Sequence, residues 1–81
     1  MKIVLSDRAL VAVADAPANV RKAFRKQLAF LESGLRHPSL HAKKYDEARR
    51  LWQARVNRDW RFYFTIEGDT CRIHSVIPHP K

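Results

Sequence analysis

Arg61, Tyr63 and Thr65 alternate with the aromatic and aliphatic residues Trp60, Phe62, Phe64 and Ile66. This period of two predicts a strand with one face turned to a core and the other carrying polar groups. Arg55 and Arg72 lie in flanking predicted strands and are candidates to stand beside Arg61, and His79 falls just past the last strand. All of these groups are suited to phosphate. Cleavage of RNA by its own 2′-hydroxyl needs one group to take that proton and another to protonate the leaving 5′-oxygen. It also needs cations on the charged phosphorus transition state. Histidine suits the proton transfers and arginine the charge. Each residue also has a structural alternative: Arg61 as an exposed strand residue, His79 as a tail residue, Trp52 and Trp60 as core or rim aromatics.

Other chemistries find less support. His37 and His41 are four residues apart, but Pro38 interrupts any helix that would align them, and no cysteine or carboxylate joins them at ligand spacing. No metal site is expected. Gly34 and Gly68 are the only glycines, so a Gly-rich phosphate loop is absent, and no serine-centred nucleophile motif occurs. No cofactor is expected either.

The elements that must position these groups can be read in order. Lys2 to Ser6 predicts an opening strand, and Ser6 or Asp7 can cap a helix through Ala14, which Asp15-Ala16-Pro17 ends. A second helix runs from Ala18 or Asn19 to about Ser33, where Gly34 stops it. Its apolar stripe is Val20, Phe24, Leu28 and Leu31, with Arg21, Lys22, Arg25 and Lys26 on the other side. From Leu35 to Arg49 periodicity fades and a long loop is expected, gathering His37, His41, Lys43, Lys44 and Tyr45. Strands follow at about 50–56, 60–67 and 70–77, joined by turns at Asn57-Arg58-Asp59 and Gly68-Asp69. The order β-α-α-β-β-β predicts an α+β domain spanning residues 1–81, with a helix hairpin on one face of a small, mainly antiparallel sheet.

Composition narrows the partners. The chain has 81 residues, a hydrophobic share of 46% and a net charge of +8. Residues 21–61 hold twelve Lys and Arg against four Asp and Glu, so the whole excess lies there. A positive field confined to one segment suits a polyanion, either nucleic acid or an acidic protein. The single cysteine, Cys71, shares the apolar parity of Ile73 and reads as a core thiol. No run has the length of a membrane span or the pattern of a signal peptide, so no membrane partner is expected and a cytoplasmic location is.

The opening strand, the basic second helix, the segment HPSLHAKKY and the run WQARVNRDWRFYFTIEGDTCRIHSVIPH together resemble the RelE/ParE superfamily of type II toxin–antitoxin toxins. The likeness covers nearly the whole chain. It is most specific at ARVNRDWR, an Arg-containing strand, a polar turn and an aromatic-Arg pair leading into two more strands. In its RelE-like branch the resemblance implies an endoribonuclease that cuts mRNA in the ribosomal decoding site and represses translation, with ribosome, mRNA and an acidic antitoxin as partners. It implies Arg61, His79 and His41 as catalytic residues. Lys43, Lys44, Arg55, Tyr63, Arg72 and Lys81 are the expected RNA-binding residues. RelE-type members carry lysines on the first strand of this sheet, where this chain has Trp52 and Ala54. The superfamily also contains ParE-like DNA gyrase inhibitors, so a non-enzymatic binder, or a degenerate toxin that only pairs with its antitoxin, is the alternative.

Overall fold

The computed structural model describes residues 1–79. Its elements are β1 (Lys2–Leu5), α1 (Asp7–Asp15), α2 (Ala18–Glu32), a 3-10 turn (Pro38–Leu40), β2 (Lys43–Asp46), β3 (Leu51–Arg55), β4 (Trp60–Glu67) and β5 (Thr70–Pro78). The strands form one sheet in the order β1-β5-β4-β3-β2. Only the β1–β5 pair is parallel, and the remaining neighbours run antiparallel. Two helices pack on this sheet, in the α+β arrangement expected from the sequence.

Local chemistry explains the boundaries. Ser6 Oγ accepts the Ala9 N–H at 3.1 Å, capping α1, and donates to the His74 carbonyl at 3.0 Å. One hydroxyl thus starts the helix and ties it to β5. Pro17 follows the extended Ala16 and separates the two helices, and the last turn of α2 gives way to Gly34 at φ 130°. That left-handed φ is accessible to glycine without strain.

The core lies between the helices and one face of the sheet. Val20, Phe24 and Leu31 of α2 meet Ala54, Phe62, Phe64, Cys71, Ile73 and Val76 of the strands. The Phe24 and Phe62 rings meet edge to face with centroids 5.4 Å apart, and Phe62 and Phe64 are 5.6 Å apart. Edge-to-face contact is a favoured aromatic geometry. Burial pushes the Cys71 thiol up to about 11 from an ordinary 9.0. The unfolded chain therefore releases this proton at lower pH than the native one. Stability should decline as pH rises from about 9 through 11, and a Cys71→Ser variant measured alongside in urea melts should lack that component.

Three features depart from the sequence expectation. First, the long loop over residues 35–49 contains the 3-10 turn and a fifth strand, β2, at the sheet edge. Its residues Lys43, Lys44 and Tyr45 are all exposed, so no apolar alternation marks it; lysines on an edge strand also discourage pairing with other chains. Second, β4 and β5 pair as Tyr63↔Ser75 and then Phe64↔Ile73, which leaves His74 as an extra, bulged residue. The bulge switches the core parity from Cys71 and Ile73 to Val76. Third, β5 runs on through Pro78, opposite Trp60. Here β1 no longer flanks β5, because it pairs only with Thr70 to Ile73. With one neighbour instead of two, the strand tolerates a residue that lacks a donor.

Candidate active site

The face of the sheet away from the helices carries the polar parity of β3 and β4. Register sets Gln53 opposite Tyr63 and Arg55 opposite Arg61. At the Arg55–Arg61 end, the chain leaving the 3-10 turn brings in His41, β2 contributes Lys43, and the end of β5 delivers His79. Together they line a cleft of about 340 Å³.

The β3–β4 turn organises this cleft through its carbonyls. Arg61 Nη1 donates to the carbonyls of Asn57, Arg58 and Trp60 at 2.8, 3.2 and 2.9 Å. The remaining carbonyl, that of Asp59, accepts the His79 N–H at 2.7 Å. A single turn therefore fixes the arginine side chain and the chain segment bearing the histidine. Arg61 is 9% exposed. Burial first, and Arg55 second, hold its guanidinium below the ordinary arginine value, while Tyr63 and Asp59 act in the opposite sense.

Two arginines directly opposite each other on one sheet face repel. Arg55 Nε is buried and has no acceptor among the described residues. A buried charged donor without a partner calls for an explanation, and an anion seated between the two guanidinium groups supplies one. Such an anion would neutralise the pair and accept the free N–H groups in charge-assisted bonds.

Gln27 positions this cleft from behind. It lies on the buried side of α2, and its Nε2 donates to the carbonyls of Ser39 at 2.8 Å and Arg55 at 2.7 Å. It thereby ties the 3-10 turn that leads to His41 to the end of the strand that carries Arg55. His41 itself has φ 45°, a left-handed conformation that few residues other than glycine adopt readily. Gln27→Leu should leave both carbonyls unpaired and cost about 1–3 kcal/mol each if they stay buried. Urea denaturation checks the sum.

Of the residues expected from the sequence, His41, Lys43, Arg55, Arg61 and His79 meet in the one cleft. Lys44 does not. It has the opposite parity to Lys43, and its Nζ sits 5.2 Å from the Trp52 ring centroid. Tyr63 is 8% exposed and accepts a 2.8 Å bond from Gln53 Nε2, with the exposed Tyr45 ring against it. Arg72 stands across from Thr65 near the other end of the sheet, its Nε 4.0 Å from a Glu67 carboxylate oxygen. Lys81 lies outside the described residues. Sequence reasoning missed Gln53, which lines the cleft, and the bridging role of Gln27. A polar residue inside the apolar stripe of α2 was the available signal for the second. Among the described residues no three His, Cys, Asp or Glu side chains gather into a group, and no helix is long and apolar enough to cross a membrane.

No family model and no curated protein matches the chain. Solved structures do. A YoeB/ParE toxin from Agrobacterium tumefaciens superposes with a TM-score of 0.81 at 12% identity, covering 99% of this chain and 100% of that one. The YoeB dimer from Staphylococcus aureus gives 0.79 at 16%, covering 99% and 98%. The RelB-RelE antitoxin-toxin complex from Methanococcus jannaschii gives 0.78 at 16%, covering 93% and 88%. With nearly full coverage in both directions, these likenesses agree with the resemblance carried by ARVNRDWR and its flanking strands: the chain has the fold of the RelE/ParE toxins.

Proposed function

We propose that this protein is the toxin of a type II toxin–antitoxin pair and acts as a metal-independent endoribonuclease on mRNA in the ribosome. The observation that carries the reading is the opposed Arg55–Arg61 pair, with a buried, unpartnered Arg55 Nε, in a cleft flanked by His41 and His79. A scissile phosphate between the arginines would have its developing charge met by fixed donors. One of the two histidines takes the 2′-hydroxyl proton as that oxygen bonds to phosphorus. The other gives a proton to the 5′-oxygen as its bond breaks, leaving a cyclic phosphate and a 5′-hydroxyl. Lys43 steadies the strand, and the basic face of α2 contacts ribosomal RNA.

The solved relatives include complexes with RelB and YefM antitoxins. An acidic antitoxin covering the basic surface is therefore the partner proposed for this chain. The burial of Arg61 and its three bonds to the turn favour a second reading, in which that residue is structural and the protein inhibits by binding, as a gyrase inhibitor or an antitoxin-paired relic. Mapping RNA 5′ ends during growth arrest separates the two. Codon-positioned cuts that vanish in Arg61→Ala support the nuclease, and intact mRNA with arrested replication rules it out.

A further inference from the structure

A second cleft, also of about 340 Å³, opens at the other end of the β3–β5 region, lined by Arg8, Arg49, Leu51, Tyr63, Thr65, His74 and Ser75. We propose that it is a phosphate-binding subsite for the same RNA strand, separated from the cleavage cleft by more than one internucleotide step. The inference rests on the nuclease reading above and extends it to how the substrate is held.

Three observations carry it. The first is alignment. Arg61 and Thr65, one in each cleft, occupy the same parity of β4 four residues apart, so these two positions lie about 13 Å from each other along the strand at roughly 3.3 Å per residue, with the hydrogen-bonded Gln53–Tyr63 pair between them. A short oligonucleotide spans that distance.

The second is the bulge. It presents the consecutive residues His74 and Ser75 to the same cleft, where strict alternation would allow one of them. Thr65 Oγ1 and His74 Nε2 share a 2.8 Å hydrogen bond, which orients the imidazole. Hydroxyl and imidazole N–H groups are donors suited to phosphate oxygens.

The third is convergence of charge. Arg8 comes from α1 and Arg49 from the β2–β3 turn, sequence-distant cations that the fold brings to one cleft. Asp46 already engages Arg49 Nε at 2.8 Å. That contact engages one edge of a largely exposed guanidinium, whose Nη groups have no acceptor among the described residues. Such a fork matches a phosphate bidentately. The apolar side chain of Leu51 completes the wall. An acidic peptide also seeks arginines, but a compact cleft that combines hydroxyls, an imidazole and an arginine fork fits a phosphodiester better than an extended chain of carboxylates.

The test measures binding of fluorescent 2′-O-methyl RNA, which cannot be cleaved, to the full chain as dinucleotide and hexanucleotide. Wild type should bind the hexanucleotide tighter. Arg8→Gln combined with Arg49→Gln, both at exposed positions, should weaken the hexanucleotide about tenfold, flatten its salt dependence and leave the dinucleotide unchanged. Arg61→Ala should weaken both. If Arg61→Ala weakens binding while the double variant does not, the subsite is wrong and the cleavage cleft stands. If neither variant changes RNA affinity, both readings fall. Loss of binding to an acidic heptapeptide, with RNA affinity intact, would make the cleft a protein-docking site and overturn the proposal.

Discussion

Arg61→Ala should lower RNA cleavage by about 10²–10³-fold, equivalent to about 2.7–4 kcal/mol of transition-state stabilisation. The size is that of a fixed, nearly buried cation acting on the phosphate of the proposed reaction, in a low dielectric and without reorganisation. The same side chain bonds three carbonyls of the β3–β4 turn, so the alanine variant also loosens the loop that anchors His79. Arg61→Lys helps to separate the two effects. Lysine keeps a positive charge but lacks the planar fork, so it should recover binding of uncleavable RNA more than it recovers rate. Cleavage is compared at equal folded fraction, determined by circular dichroism. A rate equal to wild type in the alanine variant would remove Arg61 from the chemistry.

Phe62→Ala should destabilise the fold by about 3–5 kcal/mol. Phe62 is fully buried, meets Phe24 of α2 edge to face and contacts Phe64 along its own strand. Its loss leaves a cavity where helix and sheet join. At roughly 0.05–0.15 kcal/mol per residue, a chain of 81 residues has about 4–12 kcal/mol in total. One substitution therefore removes a large part of the margin. Urea denaturation should show a lower midpoint with an unchanged slope. A change below about 1 kcal/mol would mean that the helical layer is not closely packed on β4.

The strand alternation at Trp60–Ile66 was legible because β4 has neighbours on both sides and one face in the core, so its pattern is enforced twice. The helix limits were equally readable, since Ser6, Pro17 and Gly34 act through local backbone geometry that needs no tertiary context. The β2 strand was not legible. Its exposed lysines and Tyr45 pair through backbone with β3, and backbone pairing leaves no mark on composition. The bulge at His74 was hidden for a related reason: a single inserted residue changes parity without changing residue type.

The candidate site divides the same way. Arg61 and Arg55 were found together because a short hairpin sets their register. The inclusion of His41 depends on Gln27 gripping two carbonyls from α2, a tertiary contact with no spacing rule. Lys44 falls outside the cleft because β2 sends neighbouring side chains to opposite faces, which the sequence of an irregular-looking stretch does not reveal.

The parallel pairing of β1 with β5 has a consequence for the order in which the molecule comes into being. Residues 2–5 find their partners at residues 70–73, across nearly the full contour of the chain. Contacts so distant in sequence form late, after the entropy of closing the loop has been overcome. While the polypeptide is emerging from its own ribosome, α1 and α2 have no sheet to cover and the turn at Asn57–Trp60 has no His79 to hold. A chain with this topology can complete neither its sheet nor the cleft that the end of β5 closes until nearly all of it has been translated.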